Sequence, residues 1–293
     1  MTSPYLSTRI KLRMNSLLAP LGLQIGTTAL MRAEELRLER LRAKGHWNTP
    51  HYDQGLKFEP EKFMNFLRET CLPYKSDYSM FARAENGNDQ EFCLDNEYFR
   101  AVDAEVLYSV IRKYKPNHIV EVGSGFSTRL MARAIREGKL ATTITSIDPA
   151  PRIAMAECVT EHVQSPVEHV ARELLTESLA EGDLLFIDSS HSVISGGDVP
   201  FLFLEVLPRL RKRVWIHVHD IHLPFEYPAE YITAGWGWNE QYLVHAFLYH
   251  NDAFEILWPA RYMFEHSKNA VLDVIPGGPD LFPPSSLWLR KAA

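Results

Sequence analysis

The chain has 293 residues, 31 Lys+Arg against 37 Asp+Glu, and a formal net charge of −6. Hydrophobic residues make up 46% and charged residues 23%, values of a globular chain and not of a disordered or collagen-like one, with length for one large domain plus an extension. No run of 18 apolar residues occurs, so no membrane-spanning helix is expected, and the net acidity argues against a nucleic-acid partner.

Residues 1–45 hold eight basic side chains against three acidic ones, a local balance of +5, with Leu17, Leu18, Leu21 and Leu23 interleaved. They read as a helical arm packed on its own domain or on a partner subunit in a homo-oligomer. Peripheral contact with an anionic membrane is the other reading. The N-terminus lacks the apolar segment of a secretory leader. The three cysteines, Cys71, Cys93 and Cys158, form no CxxC pair, which suits reduced, buried thiols and a cytoplasmic location. Residues 46–95 read as short helices and loops. A boundary is expected at 95/96, with a helical arm or lid region before it.

Regular pattern begins at Asp103–Lys113, where Val106, Leu107, Val110 and Ile111 fall at helical spacing, and Pro116 stops the helix. Short apolar runs then read as seven strands: His118–Val122, Ile144–Ile147, Val167–Val170, Leu184–Ile187, Val214–Val218, Phe254–Leu257 and Leu287–Leu289. Helices are expected over Ser127–Glu137, Ile153–Glu161, Val199–Leu210 and Asn239–Tyr249. This alternation predicts an α/β fold: a Rossmann-like, doubly wound, mostly parallel seven-stranded sheet with helices on both faces.

The most informative stretch is Glu121-Val122-Gly123-Ser124-Gly125-Phe126-Ser127-Thr128. A strand enters a glycine bend and the bend opens a helix. A dinucleotide fingerprint would need glycine at position 128, which is Thr128. Glu121 is awkward beside a pyrophosphate. It suits a cationic cofactor with a free ammonium group, such as S-adenosylmethionine. Asp148 ends the next strand, where a carboxylate can hold both ribose hydroxyls.

These residues resemble motif I and its acidic follower in class I S-adenosylmethionine-dependent methyltransferases, a likeness that covers residues 96–293. It implies that Glu121, Gly123, Ser124, Gly125 and Ser127 surround the methionine moiety, with Asp148 on the ribose and Asp188 nearby. The adenine pocket would follow the third strand, around Val167–Glu173.

Two later strands end in ionisable residues, Asp188-Ser189-Ser190-His191 and His217-Val218-His219-Asp220-Ile221-His222. Asp188 and Asp220 would end neighbouring strands and converge above the cofactor. His191 is placed to act as general base toward a hydroxyl, with Asp188 and His219 beside it. Asp188, Asp220 and His219 could ligate a divalent ion. His217, in mid-strand, reads as a satisfied core histidine. The Asp-x-x-His and Asp-x-His spacing is similar to that of metal-dependent sugar O-methyltransferases of the mycinamicin and macrocin group. His219 stands where that group has Glu, which favours a softer metal than magnesium or none. His219–Pro228 also resembles a broad bacterial methyltransferase group with the pattern His-Asp-Ile-x-Leu-Pro-x-x-Tyr-Pro.

The expected activity is therefore methyl transfer to a hydroxyl of a small molecule, sugar or glycan. Trp236–Tyr242 would wall the acceptor, and Asn96–Phe99 would close on the cofactor from the N-terminal side. The competing readings are a metal-dependent hydrolase using His217, His219, Asp220 and His222, an NAD-dependent oxidoreductase, and a non-catalytic methyltransferase-like binding protein.

Overall fold

The computed structural model describes residues 4–23, 25, 28–84, 91–152, 159–276 and 281–292. The chain divides into two compact units, Met1–Thr49 and Pro50–Ala293. The first unit holds the helices Pro4–Leu18 and Thr28–Ala43. Between them Asn15 closes a turn: its amide donates to the Ile25 carbonyl at 3.1 Å and its Oδ1 accepts the Ile25 N–H at 2.7 Å. Leu17, Leu21 and Leu23 are exposed. Among the described residues no helix is long and apolar enough to cross a membrane.

The second unit is built on seven strands: β1 (His118–Val122), β2 (Thr143–Ile147), β3 (Glu161–Val163), β4 (Leu184–Ile187), β5 (Trp215–Val218), β6 (Phe254–Pro259) and β7 (Leu287–Lys291). Their order is β3-β2-β1-β4-β5-β7-β6. The first five run parallel, and β7 inserts antiparallel to both β5 and β6. This is the mostly parallel, doubly wound sheet that the alternating pattern predicts. The central strands read as continuous apolar runs because both faces are covered. Ile119, Val120, Leu184, Leu185, Phe186 and Ile216 are buried in one core.

The helices Asp103–Tyr114 and Phe126–Gly138 pack on each other. The helix Pro60–Cys71 packs on Asp103–Tyr114, on β6 and on the helix Ala260–Val274. Its buried residues Phe63, Met64, Leu67 and Cys71 form one apolar stripe. That stripe is what ties residues 50–95 into the second unit. Cys71 and Cys93 are buried, and Cys158 lies outside the described residues.

Three elements differ from the sequence reading. The third strand is Glu161–Val163, while Val167–His169 is a helical turn. This strand pairs with β2 alone, and an edge strand of three residues with two polar side chains carries no apolar run to betray it. Most of the helix expected over Ile153–Glu161 lies outside the described residues, and Glu161 itself is strand. The helix Ala260–Val274 was not anticipated. It is polar at Arg261, Glu265, His266 and Lys268, and leaves helical geometry at Ser267, with φ −140°.

Candidate active site

The ladder aligns Val122 with Ile187 and Ile187 with Val218. One residue further on, the Gly123 N–H donates to the Ile147 carbonyl at 3.0 Å, the Asp188 N–H to Val122 at 2.9 Å and the His219 N–H to Ile187 at 2.9 Å. Gly123, Asp188 and His219 therefore sit side by side on the carboxyl edge of the sheet. Strand order reverses between β1 and β4, which is where open α/β sheets bind ligands. A cavity of about 1060 Å³ opens at that point.

One end of the cavity is the glycine bend. Gly123 has φ +84°, and a Cβ there would lie 2.0 Å from the Asp188 carbonyl oxygen. Only glycine fits so close an approach of two strand ends. Ser124 Oγ donates to Asp148 Oδ2 at 2.5 Å, and the Ala150 N–H donates to Asp148 Oδ1 at 2.8 Å. Gly123, Ser124 and Asp148 line the cavity, and Pro166, Val167 and Glu168 reach it from the segment after β3. Glu97 and Tyr98 reach it from the N-terminal side.

Glu121 and Ser127 do not line it. Both are buried, and the Glu121 carboxylate accepts Ser127 Oγ at 2.9 Å and Thr128 Oγ1 at 2.8 and 2.9 Å. Burial raises the Glu121 carboxyl to about 8 against the lowering effect of those hydroxyls. These bonds join Glu121 to Ser127 and Thr128 and fasten β1 to the start of the next helix. Gly125 is likewise absent from the lining. Its N–H donates to Thr128 Oγ1 at 3.0 Å.

The other end is a cluster of Asp188, His191 and Asp220, whose ligand atoms all lie within 4.8 Å of one another. His191 Nε2 is 3.3 Å from Asp188 Oδ1 and 3.6 Å from Asp220 Oδ2, and Nδ1 is 2.9 Å from Glu240 Oε2. His191 and Asp220 both adopt left-handed backbone, φ +58° and +54°, which His and Asp tolerate better than most residues and which clusters at functional sites. The helix Glu240–Leu248 fixes the loop: the N–H groups of Asn239 and Glu240 donate to the His191 carbonyl at 3.0 and 3.1 Å. Asp220 Oδ1 accepts Ser285 Oγ at 2.9 Å.

Burial by itself would lower the His191 imidazole, but the bonds to Asp188 and Glu240 and the charge of Asp220 outweigh it and hold it well above 6.5. Against burial, His191 together with the nearby histidine charges holds the Asp188 carboxyl down at about 2.

The other histidines divide differently from the sequence reading. His219 lines the cavity but lies outside the cluster: its Nε2 is 3.4 Å from the Tyr98 carbonyl and 3.9 Å from Asp220, and its ring packs on Phe99 at 4.9 Å. Among the described residues the side chain gathered with Asp188 and Asp220 is His191. His217 is buried in the core, stacked on Phe186 at 4.1 Å. It is not satisfied, since among the described residues neither ring nitrogen has a hydrogen-bond partner. Burial keeps it well below its usual value. His222 is buried, lines the cavity and is lowered to about 3 by burial. Among the described residues no three of His217, His219, Asp220 and His222 gather as a metal site.

Glu240 was missed from the sequence. It lies in the aromatic segment singled out there, but no spacing connects it with His191, 49 residues away.

The residues present fit S-adenosylmethionine. The bend lets backbone approach a ligand, and the carboxylates lining the cavity, among them Glu97, Asp148, Glu168 and Asp188, suit a cationic donor and repel a pyrophosphate. Fold and site together resemble those of class I, S-adenosylmethionine-dependent methyltransferases. Residues 120–221 match the family model described as Methyltransferase domain. Among solved structures, the chain is similar to an SAH-bound methyltransferase of Podospora anserina, with 14% identity over 93% of this chain and 100% of that one and a TM-score of 0.42. It is also similar to a plantazolicin methyltransferase in complex with a pentazolic analogue and SAH, with 12% identity over 80% of this chain and 100% of that one and a TM-score of 0.38. Among curated proteins none matches the sequence.

Proposed function

We propose that this protein methylates a hydroxyl of a small molecule, sugar or glycan. One observation carries the reading: a single cavity joins the Gly123–Ser124–Asp148 end to the Asp188–His191–Asp220 cluster. At the first end Gly123 and Ser124 would hold the amino-acid part of the donor and Asp148 its ribose hydroxyls. When bound there, S-adenosylmethionine supplies an electrophilic methyl group on a sulfonium. At the second end the acceptor hydroxyl would be oriented toward it, and orientation and electrostatics account for much of the rate.

The base role expected for His191 changes in this reading. Its Nδ1 is taken up by Glu240, and its Nε2 points between Asp188 and Asp220, where a cation in place of the ring proton would meet all three side chains. Its position suits a ligand instead. Two carboxylates and one imidazole form an O/N donor set for a divalent cation such as Mn²⁺, and the Glu240 carboxylate behind Nδ1 is the outer partner that metal-bound histidines use. Asp188, His191 and Asp220 would hold such a cation, which would supply Lewis acidity toward a hydroxyl placed beside them. The hydroxyl proton would then be lost to solvent, which reaches the cluster at Asp188, its most exposed side chain at 32%.

Calorimetry and a co-crystal structure test the assignment. SAH should bind and NAD should not, with the SAH sulfur facing Asp188, His191 and Asp220. A homocysteine tail pointing away from Gly123 and Ser124 would reject it. Exhaustive chelation should abolish methyl transfer and leave SAH binding intact, and activity that survives chelation would remove the ion. An absence of turnover with every hydroxyl acceptor, despite SAH binding, would favour the binding-protein reading.

A further inference from the structure

The segment between β5 and the helix Glu240–Leu248 builds one wall of the cavity, and that wall is aromatic. Tyr231, Trp236 and Trp238 all line it. Their ring centroids lie 4.3 Å apart for Tyr231 and Trp236, 4.9 Å for Trp236 and Trp238, and 4.9 Å for Tyr231 and Trp238. Trp238 also lies 4.3 Å from the His191 ring, so the wall runs up to the Asp188–His191–Asp220 cluster. Trp236 is 49% exposed. An indole left open at a cavity mouth, backed by two further rings, is a surface on which another ring can stack.

The wall includes one polar group with nothing to bond. His222 is 2% exposed, lines the cavity and lies 6.2 Å from the Tyr231 ring. Among the described residues neither of its ring nitrogens has a hydrogen-bond partner. Its backbone is fixed: the His222 N–H donates to Gln241 Oε1 at 3.1 Å, and the Gln241 N–H donates to the Tyr227 hydroxyl at 3.2 Å. A buried, unpaired imidazole is costly, and a ligand that completes it recovers that cost.

We infer that Tyr231, Trp236, Trp238 and His222 form the acceptor subsite, and that the acceptor is a ring compound. Its flat face stacks on the indoles, a polar substituent bonds to His222, and a neighbouring hydroxyl points to the acidic cluster. Both an aromatic ring and a pyranose offer such a face. The identity of the reacting hydroxyl rests on the methyl-transfer reading, whereas binding of the ring does not.

Saturation-transfer NMR on the full chain, with and without SAH, tests this with catechol, methyl β-D-glucopyranoside and the acyclic control 1,2-propanediol. At least one ring probe should receive saturation at its ring protons, and the diol should not. Catechol alone would identify an aromatic acceptor, and the glucoside alone a sugar. Trp236→Ala, at a half-exposed site, should weaken that probe about tenfold and leave SAH affinity unchanged. His222→Phe keeps an apolar ring in place and should abolish any preference for the probe over its O-methylated counterpart. Failure of both ring probes to bind, or binding untouched by both substitutions, overturns the subsite. Failure of SAH to bind by calorimetry would instead defeat the methyl-transfer reading, while a bound ring probe would still uphold the subsite.

Discussion

Glu240 Oε2 lies 2.9 Å from His191 Nδ1, and both side chains are buried. Two segments 49 residues apart thus set the orientation of the imidazole whose other nitrogen faces Asp188 and Asp220. Glu240→Gln keeps the shape and removes the charge. It should weaken Mn²⁺ binding at the cluster and methyl transfer by about 10–100-fold and leave SAH affinity unchanged. Titration of Mn²⁺ by calorimetry reads this directly, and equal affinity in the two proteins would make Glu240 a structural partner only.

Asp148 lines the cavity, and its carboxylate is held by Ser124 and the Ala150 N–H. Asp148→Ala removes the acceptor proposed for the ribose hydroxyls. Hydrogen bonds to a charged group contribute about 1.5–3 kcal/mol, so SAH should bind at least ~10-fold more weakly. An unaltered Kd would show that the ribose lies elsewhere.

Gly123 combines a positive φ with the nearby Asp188 carbonyl. Gly123→Ala should cost about 1–3 kcal/mol of stability from the backbone conformation, because the β1 and β4 ends must also separate. SAH binding should fall with it. A melting temperature and SAH affinity equal to those of the parent would contradict the close approach.

Glu121 carries a pH dependence of defined sign. Its folded carboxyl is raised from 4.5 to about 8, by burial above all. The folded chain therefore binds this proton where the unfolded chain has lost it, and stability falls as pH rises from about 4.5 to 8. Glu121→Gln mimics the protonated form. It should leave stability near pH 4.5 unchanged and raise it at pH 8, as denaturant melts at the two values would show. Glu105, raised by burial to about 7, would keep part of the slope.

The glycine bend, Asp148, Asp188 and Asp220 were legible in the sequence because each ends a run of apolar residues, and a parallel sheet brings the ends of such runs to one edge. The alternation of strand and helix likewise determined the fold class. The three-residue edge strand Glu161–Val163 was not legible, since too few of its side chains enter the core to leave a pattern. Tertiary structure alone decided the direction of side chains at that edge. It turned Glu121 inward to Ser127 and Thr128, gathered His191 with Asp188 and Asp220, and brought Glu240 from a distant helix against His191. Periodicity records which residues are buried. Which buried group meets which depends on how separate elements pack, and that is set by distances across the chain that no local spacing encodes.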